Sequence, residues 1–263
     1  MRAHYETGYE RDRLSGGGAP QMEFERTKEL LQRFLPDPPA AVLDAGGGPG
    51  VYAVWLAELG YRVHLVDAVP LHVEQAADAG ARARRSFTVE VADARHLRQE
   101  SDSFDAVLLL GPIYHLTERA DRVQALSEAG RVARPGAPIV AAAISRFASL
   151  FDGLTRGFFG APTFEVIVQR DLEEGQHRNP TDRVEWFTTA YFHHPEELRG
   201  EVEDAGLTFE ALFGLEGPAS LVGYMWDDPE DREHLLRVAR AIEQEPTLIG
   251  LSSHLLVVAR PQS

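Results

Sequence analysis

The chain contains no cysteine, so disulfides, thiolate metal sites and cysteine nucleophiles are excluded together. Basic residues are outnumbered, 26 against 41 acidic, and the formal net charge is -15. Such a surface repels a phosphate backbone, which argues against DNA or RNA as a partner. No basic run offsets this; the nearest, Arg82-Ala83-Arg84-Arg85, reads as a solvated helix end. No stretch approaches the roughly 20 apolar residues of a membrane span. The opening Met1-Arg2-Ala3-His4-Tyr5-Glu6 lacks the apolar core of a signal peptide. These absences together suggest a cytoplasmic protein with no membrane partner. Gly-x-Ser-x-Gly does not occur, and His193 and His194 are adjacent, not at the i, i+4 spacing of paired metal ligands, so no metal is expected. What remains is an ordinary globular composition, 44% hydrophobic and 25% charged over 263 residues. That is enough for one large domain or a domain with an insertion, and no internal repeat or low-complexity segment interrupts it.

The chain is organised around Ala41-Val42-Leu43-Asp44-Ala45-Gly46-Gly47-Gly48-Pro49-Gly50. A short apolar run ends in an acid, a glycine-dense turn follows, and residues 51–59 read as a helix that Gly60 stops. Strand, tight loop and helix open a nucleotide-binding α/β sheet. Glycine suits such a loop because a side chain would keep the backbone from a ligand and because positive φ costs it little. The dinucleotide fingerprint Gly-x-Gly-x-x-Gly fits poorly, since Val51 occupies its third position. The chain spells Asp44-x-Gly46-x-Gly48-x-Gly50 instead.

Alternation of strand and helix continues. Residues 62–66 form a second apolar strand closed by Asp67, where a carboxylate can accept from both hydroxyls of a ribose; a helix N-cap ahead of Pro70 is the plainer alternative. A helix over 70–83 leads to a strand at 87–91, which runs into Asp93-Ala94. The apolar strand at 103–110 suits the middle of a parallel sheet and ends in Gly111-Pro112-Ile113-Tyr114-His115. A helix over 117–133, the turn Arg134-Pro135-Gly136 and a strand at 138–144 follow. After an interruption the pattern resumes with a helix from Pro195 to about Ala205, a strand at 207–214, a helix over 229–244 and a strand at 254–259.

The acid-led glycine loop resembles motif I of the class I S-adenosylmethionine (SAM)-dependent methyltransferases, and the likeness spans roughly residues 40–145. The resemblance implies a Rossmann-like, seven-stranded, mostly parallel sheet with helices on both faces, the last strand antiparallel. In that family the loop curls round the methionine part of the cofactor, which assigns Asp44, Gly46 and Gly48 to it, with the acid helping to hold the amino group. Asp67 and Ala68 would face the ribose, Asp93 and Ala94 the adenine amine, and Leu110 and Gly111 the strand end beside the sulfonium methyl. S-adenosylhomocysteine (SAH) would be the product. Motif IV residues vary too much for the likeness to assign Tyr114 and His115.

Methyl transfer is an in-line displacement in which the protein aligns the partners, excludes water and, for a hydroxyl acceptor, removes a proton. Imidazole is the natural base at neutral pH. His115 follows the fourth strand, with a cofactor contact as its alternative. His194 lies where the insertion rejoins the sheet, with helix capping as its alternative. Tyr114 either meets the methyl or lines the pocket.

Residues 147–189, rich in aromatics and arginines and broken by glycine and proline, read as a lid after strand five. The domain would then comprise 36–146 and 190–263. Arginines in the lid either face an acidic substrate group or are solvated. Residues 1–35 divide into a glycine-hinged segment and a helix. Tyr9 and Arg13 in the segment either close over the cofactor as a flap or belong to a frayed tail. The expected activity is transfer of a methyl group to a small molecule, at oxygen first and nitrogen or carbon next. A peptide end as acceptor, a non-catalytic SAM-binding module, an NAD-dependent oxidoreductase and a homodimeric assembly stay open.

Overall fold

A computed structural model describes residues 19–262. Its sheet begins with β1 (Ala41–Ala45), which pairs in parallel with β2 (Arg62–Asp67) on one side and β4 (Ala106–Leu109) on the other. β3 (Thr88–Val91) extends the β2 side and β5 (Ile139–Ser145) the β4 side, both in parallel. β9 (His254–Pro261) runs antiparallel along the free edge of β5, and β8 (Leu207–Gly214) antiparallel to β9. These strands stand in the order β3-β2-β1-β4-β5-β9-β8, with β9 reversed.

The count is nine, because two short strands join them: β6 (Gln176–His177) and β7 (Ala190–His193). β7 pairs in parallel with the last residues of β5, Ile144 with Phe192 and Ser145 with His193. β9 already occupies the other edge at Ile144, so β7 continues the β4 edge beyond the end of β4. Backbone groups that β4 leaves unpaired on β5 thus find partners, and chain from the insertion is drawn over the strand ends.

Alternation along the strands divides the core. Val42 and Leu108 face a layer that includes Leu30 and Leu31 of α1 (Ala19–Phe34) and Leu56 of α2 (Val51–Leu59). Ala76 of α3 (Pro70–Arg82) belongs to the same layer. Leu43, Val107 and Leu109 face the other, with Leu126 of α5 (Arg119–Val132) and Val202 of α8 (Pro195–Asp204). A single turn, α4 (Pro112–His115), separates β4 from α5. On the α8 side a buried network locks the layers: Arg122 donates to Glu201 at 2.7 and 3.0 Å and stacks on Tyr191, and His193 meets Glu201 at 3.3 Å.

The insertion folds into α6 (Ala148–Arg156) and α7 (Pro162–Glu174), with Phe164, Ile167, Val168 and Trp186 as a small core of their own. His177 ties it together, meeting Asp171 and the Trp186 carbonyl at 2.8 Å each. Most aromatic residues of this segment therefore serve local packing. On the far side, α9 (Pro229–Ile242) starts at Asp228, whose carboxylate accepts from Glu230 N–H at 2.8 Å. α1 is bound to this part of the chain by buried Arg26, which donates to the Leu215 carbonyl and pairs with Glu243. Among the described residues no helix is long and apolar enough to cross a membrane.

Candidate functional site

Chain leaving β1 turns one way to β2 and β3, while β4 lies on the other side. The strand order reverses there, and such a reversal opens a crevice above the carboxyl ends of the strands. The glycine loop fills its floor. Gly46 adopts φ +76°, and a Cβ there would lie 2.3 Å from a Pro112 side-chain carbon, so the loop after β1 and the turn after β4 touch only because Gly46 is bare. Gly48 (φ +56°) has open space where a side chain would stand, as a backbone surface awaiting a ligand requires.

Asp44 is fully buried, and neither carboxylate oxygen has a hydrogen-bond partner among the described residues. Burial, with Asp67 close by, raises its pKa to about 7. A buried carboxylate lacking a donor is costly, and a ligand bringing an N–H cation to this point would meet the deficit. Asp67 is differently placed: Oδ2 accepts from Gly48 N–H at 2.9 Å, and Oδ1 accepts from Val69 N–H at 2.8 Å and meets His72 Nδ1 at 3.2 Å. It thereby pins the glycine loop to the end of β2. A carboxylate offers about four acceptor sites, so capacity for a ribose hydroxyl remains. Asp67 does not cap α3, whose N-cap is Val69.

Asp93 departs from expectation in one respect. Arg95 grips both of its oxygens, at 2.6 and 3.0 Å through the guanidinium and at 2.9 Å through its backbone N–H, and then reaches Asp121. This arginine holds the Asp93 carboxyl below the usual range. The adenine amine expected at Asp93 would share an acceptor already saturated by a guanidinium. Ala68 is exposed and Ala94 buried beside these acids. A Cβ on Gly111 would lie 3.0 Å from the Gly46 carbonyl, which brings the fourth strand end against the loop. Leu110, next to it, accepts from Tyr114 O–H through its carbonyl at 3.3 Å.

Beyond Tyr114 lies a cavity of about 440 Å³. Ile144 and Phe192 form its sheet side, and Phe164, Trp186 and Phe187 its insertion side. His115 stands edge-on to Tyr114 with ring centres 4.5 Å apart, and 6.0 Å from Phe187, so α4 carries both residues to the border between crevice and cavity. His194 is not brought there. It is the N-cap of α8, its N–H donates to Glu197 at 2.9 Å, and its ring packs edge-on against Phe147. The helix-capping alternative thus describes its place, and His194 is not among the residues that line the cavity. His193 is buried in the Arg122–Glu201 network, and burial holds its pKa below the usual value. Tyr9 and Arg13 lie outside the described residues.

The lid arginines do not present a field for an anion. Arg146 is buried against Glu197 and the Phe192 carbonyl, Arg178 bonds the His177 and Ala190 carbonyls, and Arg183 pairs with Glu185. Of these arginines Arg156 lines the cavity, paired with Asp152 at 3.2 Å. Residues without any local motif reach it instead: Glu23 from α1, Glu216 after β8 and His254 at the start of β9, whose ligating atoms lie within 4.8 Å of one another. No spacing rule in the sequence joins positions so far apart.

Comparison with known proteins bears on this crevice. Residues 42–136 match the family described as a methyltransferase domain. A ubiquinone biosynthesis O-methyltransferase of Methylocella silvestris is 33% identical over 116 residues, covering 43% of this chain and 44% of that protein. The methyltransferase GfsG of Streptomyces halstedii is 34% identical over 152 residues, 56% of this chain and 52% of that one. The chain thus spans about half the length of these curated relatives. A crystal structure of a SAM-dependent methyltransferase from Methanosarcina mazei superposes with a TM-score of 0.60 at 17% identity, covering 88% of this chain and 96% of that one. That likeness concerns the fold, and it extends well past the 95-residue matched segment.

Proposed function

With the chain belonging to the class I SAM-dependent methyltransferases as premise, we propose that it transfers a methyl group from SAM to a small molecule held in the cavity beside Tyr114. When bound, SAM supplies a sulfonium-activated methyl group that needs no further activation by the protein. The observation carrying the proposal is Asp44: buried, without a donor, beside a loop whose open glycine faces the crevice. An α-ammonium group is the partner such a carboxylate lacks. Asp67 then receives the ribose, and Gly46, Gly48, Ala68, Ala94, Leu110 and Gly111 form the walls. Asp93 takes the adenine amine only by sharing with Arg95.

On the acceptor side the chain orients and dries. A cavity of about 440 Å³ falls in the range of small-ligand sites. The α6–α7 insertion roofs it and keeps water from the displacement. Oxygen is the acceptor atom in this reading, supported by the printed name of the Methylocella relative and by the imidazole at the border. His115 takes the hydroxyl proton, and Tyr114 holds the acceptor in line. We place the reaction in the cytoplasm, and the excess of acid over base keeps nucleic acid outside it.

Incubation with SAM and a panel of hydroxylated and amino acceptors, with mass-spectrometric detection of SAH and methylated product, tests the reading. Turnover supports it. SAM binding with no turnover of any acceptor would make the protein a binding module.

A further inference from the structure

We infer that Trp186 determines which acceptor is taken: its indole N–H donates a hydrogen bond to an oxygen of the acceptor other than the one methylated, such as a ketone oxygen. That the ligand is a methyl acceptor rests on the proposed function, whereas the hydrogen bond rests on the cavity wall.

Trp186 lines the cavity, is 5% exposed, and holds a buried Nε1 with no acceptor among the described residues. An indole nitrogen can only donate, and a buried donor left unpaired costs its desolvation in full. Buried tryptophans ordinarily find a partner. Trp226 shows that outcome, with Nε1 donating to Gln21 Oε1 at 2.9 Å. If position 186 served packing alone, phenylalanine would do so without the penalty, as Phe158 and Phe164 do around it.

The indole is held in place. Phe164 packs against it with ring centres 5.3 Å apart, and the Arg183 guanidinium lies 4.5 Å from its centre. The main chain behind it is fixed as well. Phe187, the next residue, has φ +63° and ψ -167°, a combination that residues bearing a side chain rarely adopt. Three hydrogen bonds enforce it: Phe187 N–H donates to the Val184 carbonyl at 3.1 Å, His177 Nε2 to the Trp186 carbonyl at 2.8 Å, and Asn179 Nδ2 to the Phe187 carbonyl at 2.9 Å. A carbonyl only accepts, so His177 carries a proton on Nε2. Glycine at 187 would relieve the strain, yet the chain places a phenylalanine there and commits a buried histidine and an asparagine to holding it. Strain enforced by its surroundings at a cavity wall marks a preorganised ligand contact.

The placement suits an acceptor gripped at two points. The Phe187 ring lies 6.0 Å from that of His115 and packs in the cluster that holds Tyr114 and Ile144. The donor thus stands one residue along the chain from the ring that borders the reacting end. A molecule with its hydroxyl at His115 rests its body on Phe187 and brings a second oxygen to Trp186. A site built to meet that oxygen rejects an analogue without it, because the indole N–H then stays unpaired.

Two ketones, 3- and 4-hydroxyacetophenone, test this against the matching 3- and 4-ethylphenol, which lack the second oxygen. Each is titrated calorimetrically into the full-length protein saturated with SAH. The tighter-binding ketone is expected to exceed its ethyl counterpart in affinity at least about tenfold. Trp186→Phe should bring that ratio to about one and leave the SAH dissociation constant unchanged. A readout in the wild type keeps the test decisive if the variant fails to fold. With ¹⁵N-labelled tryptophan, the assigned Trp186 indole N–H signal should move downfield when the ketone is added and not when the ethylphenol is. Equal affinities within both pairs, a ketone preference that survives in Trp186→Phe, an indole signal unmoved by bound ketone, or no ketone binding at millimolar concentration would overturn the inference. Failure of SAH to bind would remove the methyl-transfer reading instead, and the same titrations on the ligand-free protein would still decide the hydrogen bond.

Discussion

Replacing Asp44 with asparagine keeps the shape of a buried side chain and removes its charge. In the ligand-free protein Asp44 titrates at about 7 against 3.8 for an unperturbed carboxyl, because burial, and then the nearby Asp67 charge, disfavour the anion. Between those values the native state holds a proton that the unfolded chain has released, so stability falls as pH rises from about 4 to about 7. Roughly three pH units at about 1.4 kcal/mol each make the loss on the order of 4 kcal/mol. Asp44→Asn lacks this term. For a chain of this size a kilocalorie shifts Tm by about 2–4 °C. The variant should therefore melt near the wild type at pH 4.5 and several degrees higher at pH 8, when melts are followed by circular dichroism. Binding should move the other way. Wild-type affinity for SAH should rise about tenfold between pH 6 and pH 8 as Asp44 ionises, and the variant should lose about 1.5–3 kcal/mol of it with a flat profile. Parallel melting profiles together with unchanged SAH affinity would refute the argument.

Other positions give independent checks. Asp67→Ala should weaken SAH binding by about 1.5–3 kcal/mol, because the ribose acceptor is lost and Gly48 N–H loses its partner; unchanged affinity in a titration would remove the ribose assignment. His115→Ala should lower kcat by a factor of about 10²–10⁴ with little change in SAH affinity if the imidazole takes a proton, and equal losses in both would make it a cofactor contact. Glu201→Gln leaves Arg122 and His193 buried without their carboxylate, so urea denaturation should show about 3–5 kcal/mol of lost stability; a neutral result would show that the network carries no weight. Removing residues 1–18 should raise the SAH dissociation constant if they close over the crevice, and an unaltered constant would make them a tail.

The crevice was legible in the sequence because its parts are local. Asp44 and the glycines are consecutive, and Asp67, Asp93 and Gly111 each end an apolar run, so periodicity alone places them at successive strand ends. What those acids bond to was not legible. Arg95 is two residues from Asp93, but its grip depends on the turn that β3 makes, and one donor to Asp67, Gly48 N–H, comes from a loop 19 residues away. The two added strands escaped notice because β6 has two residues and β7 four, and their pairing is set by the end of β4, not by any pattern of their own. The cavity wall was hidden most completely. Glu23, Glu216 and His254 belong to three elements that meet only when α1 packs against the region after β8, and a lone glutamate in a helix announces nothing about its far partners. Arg146, Arg156, Arg178 and Arg183, conspicuous in sequence, are committed to carbonyls and neighbouring acids.

The central claim is that the crevice over β1, β2 and β4 holds an adenosyl amino acid with its ammonium group at Asp44. A crystal of the protein soaked with SAH measures this directly. The account predicts density along the Gly46–Gly50 loop with the amino nitrogen within hydrogen-bonding distance of Asp44 and the ribose at Asp67. Density elsewhere, or a crevice in which Asp44 keeps no ligand while SAH is bound in solution, would contradict it.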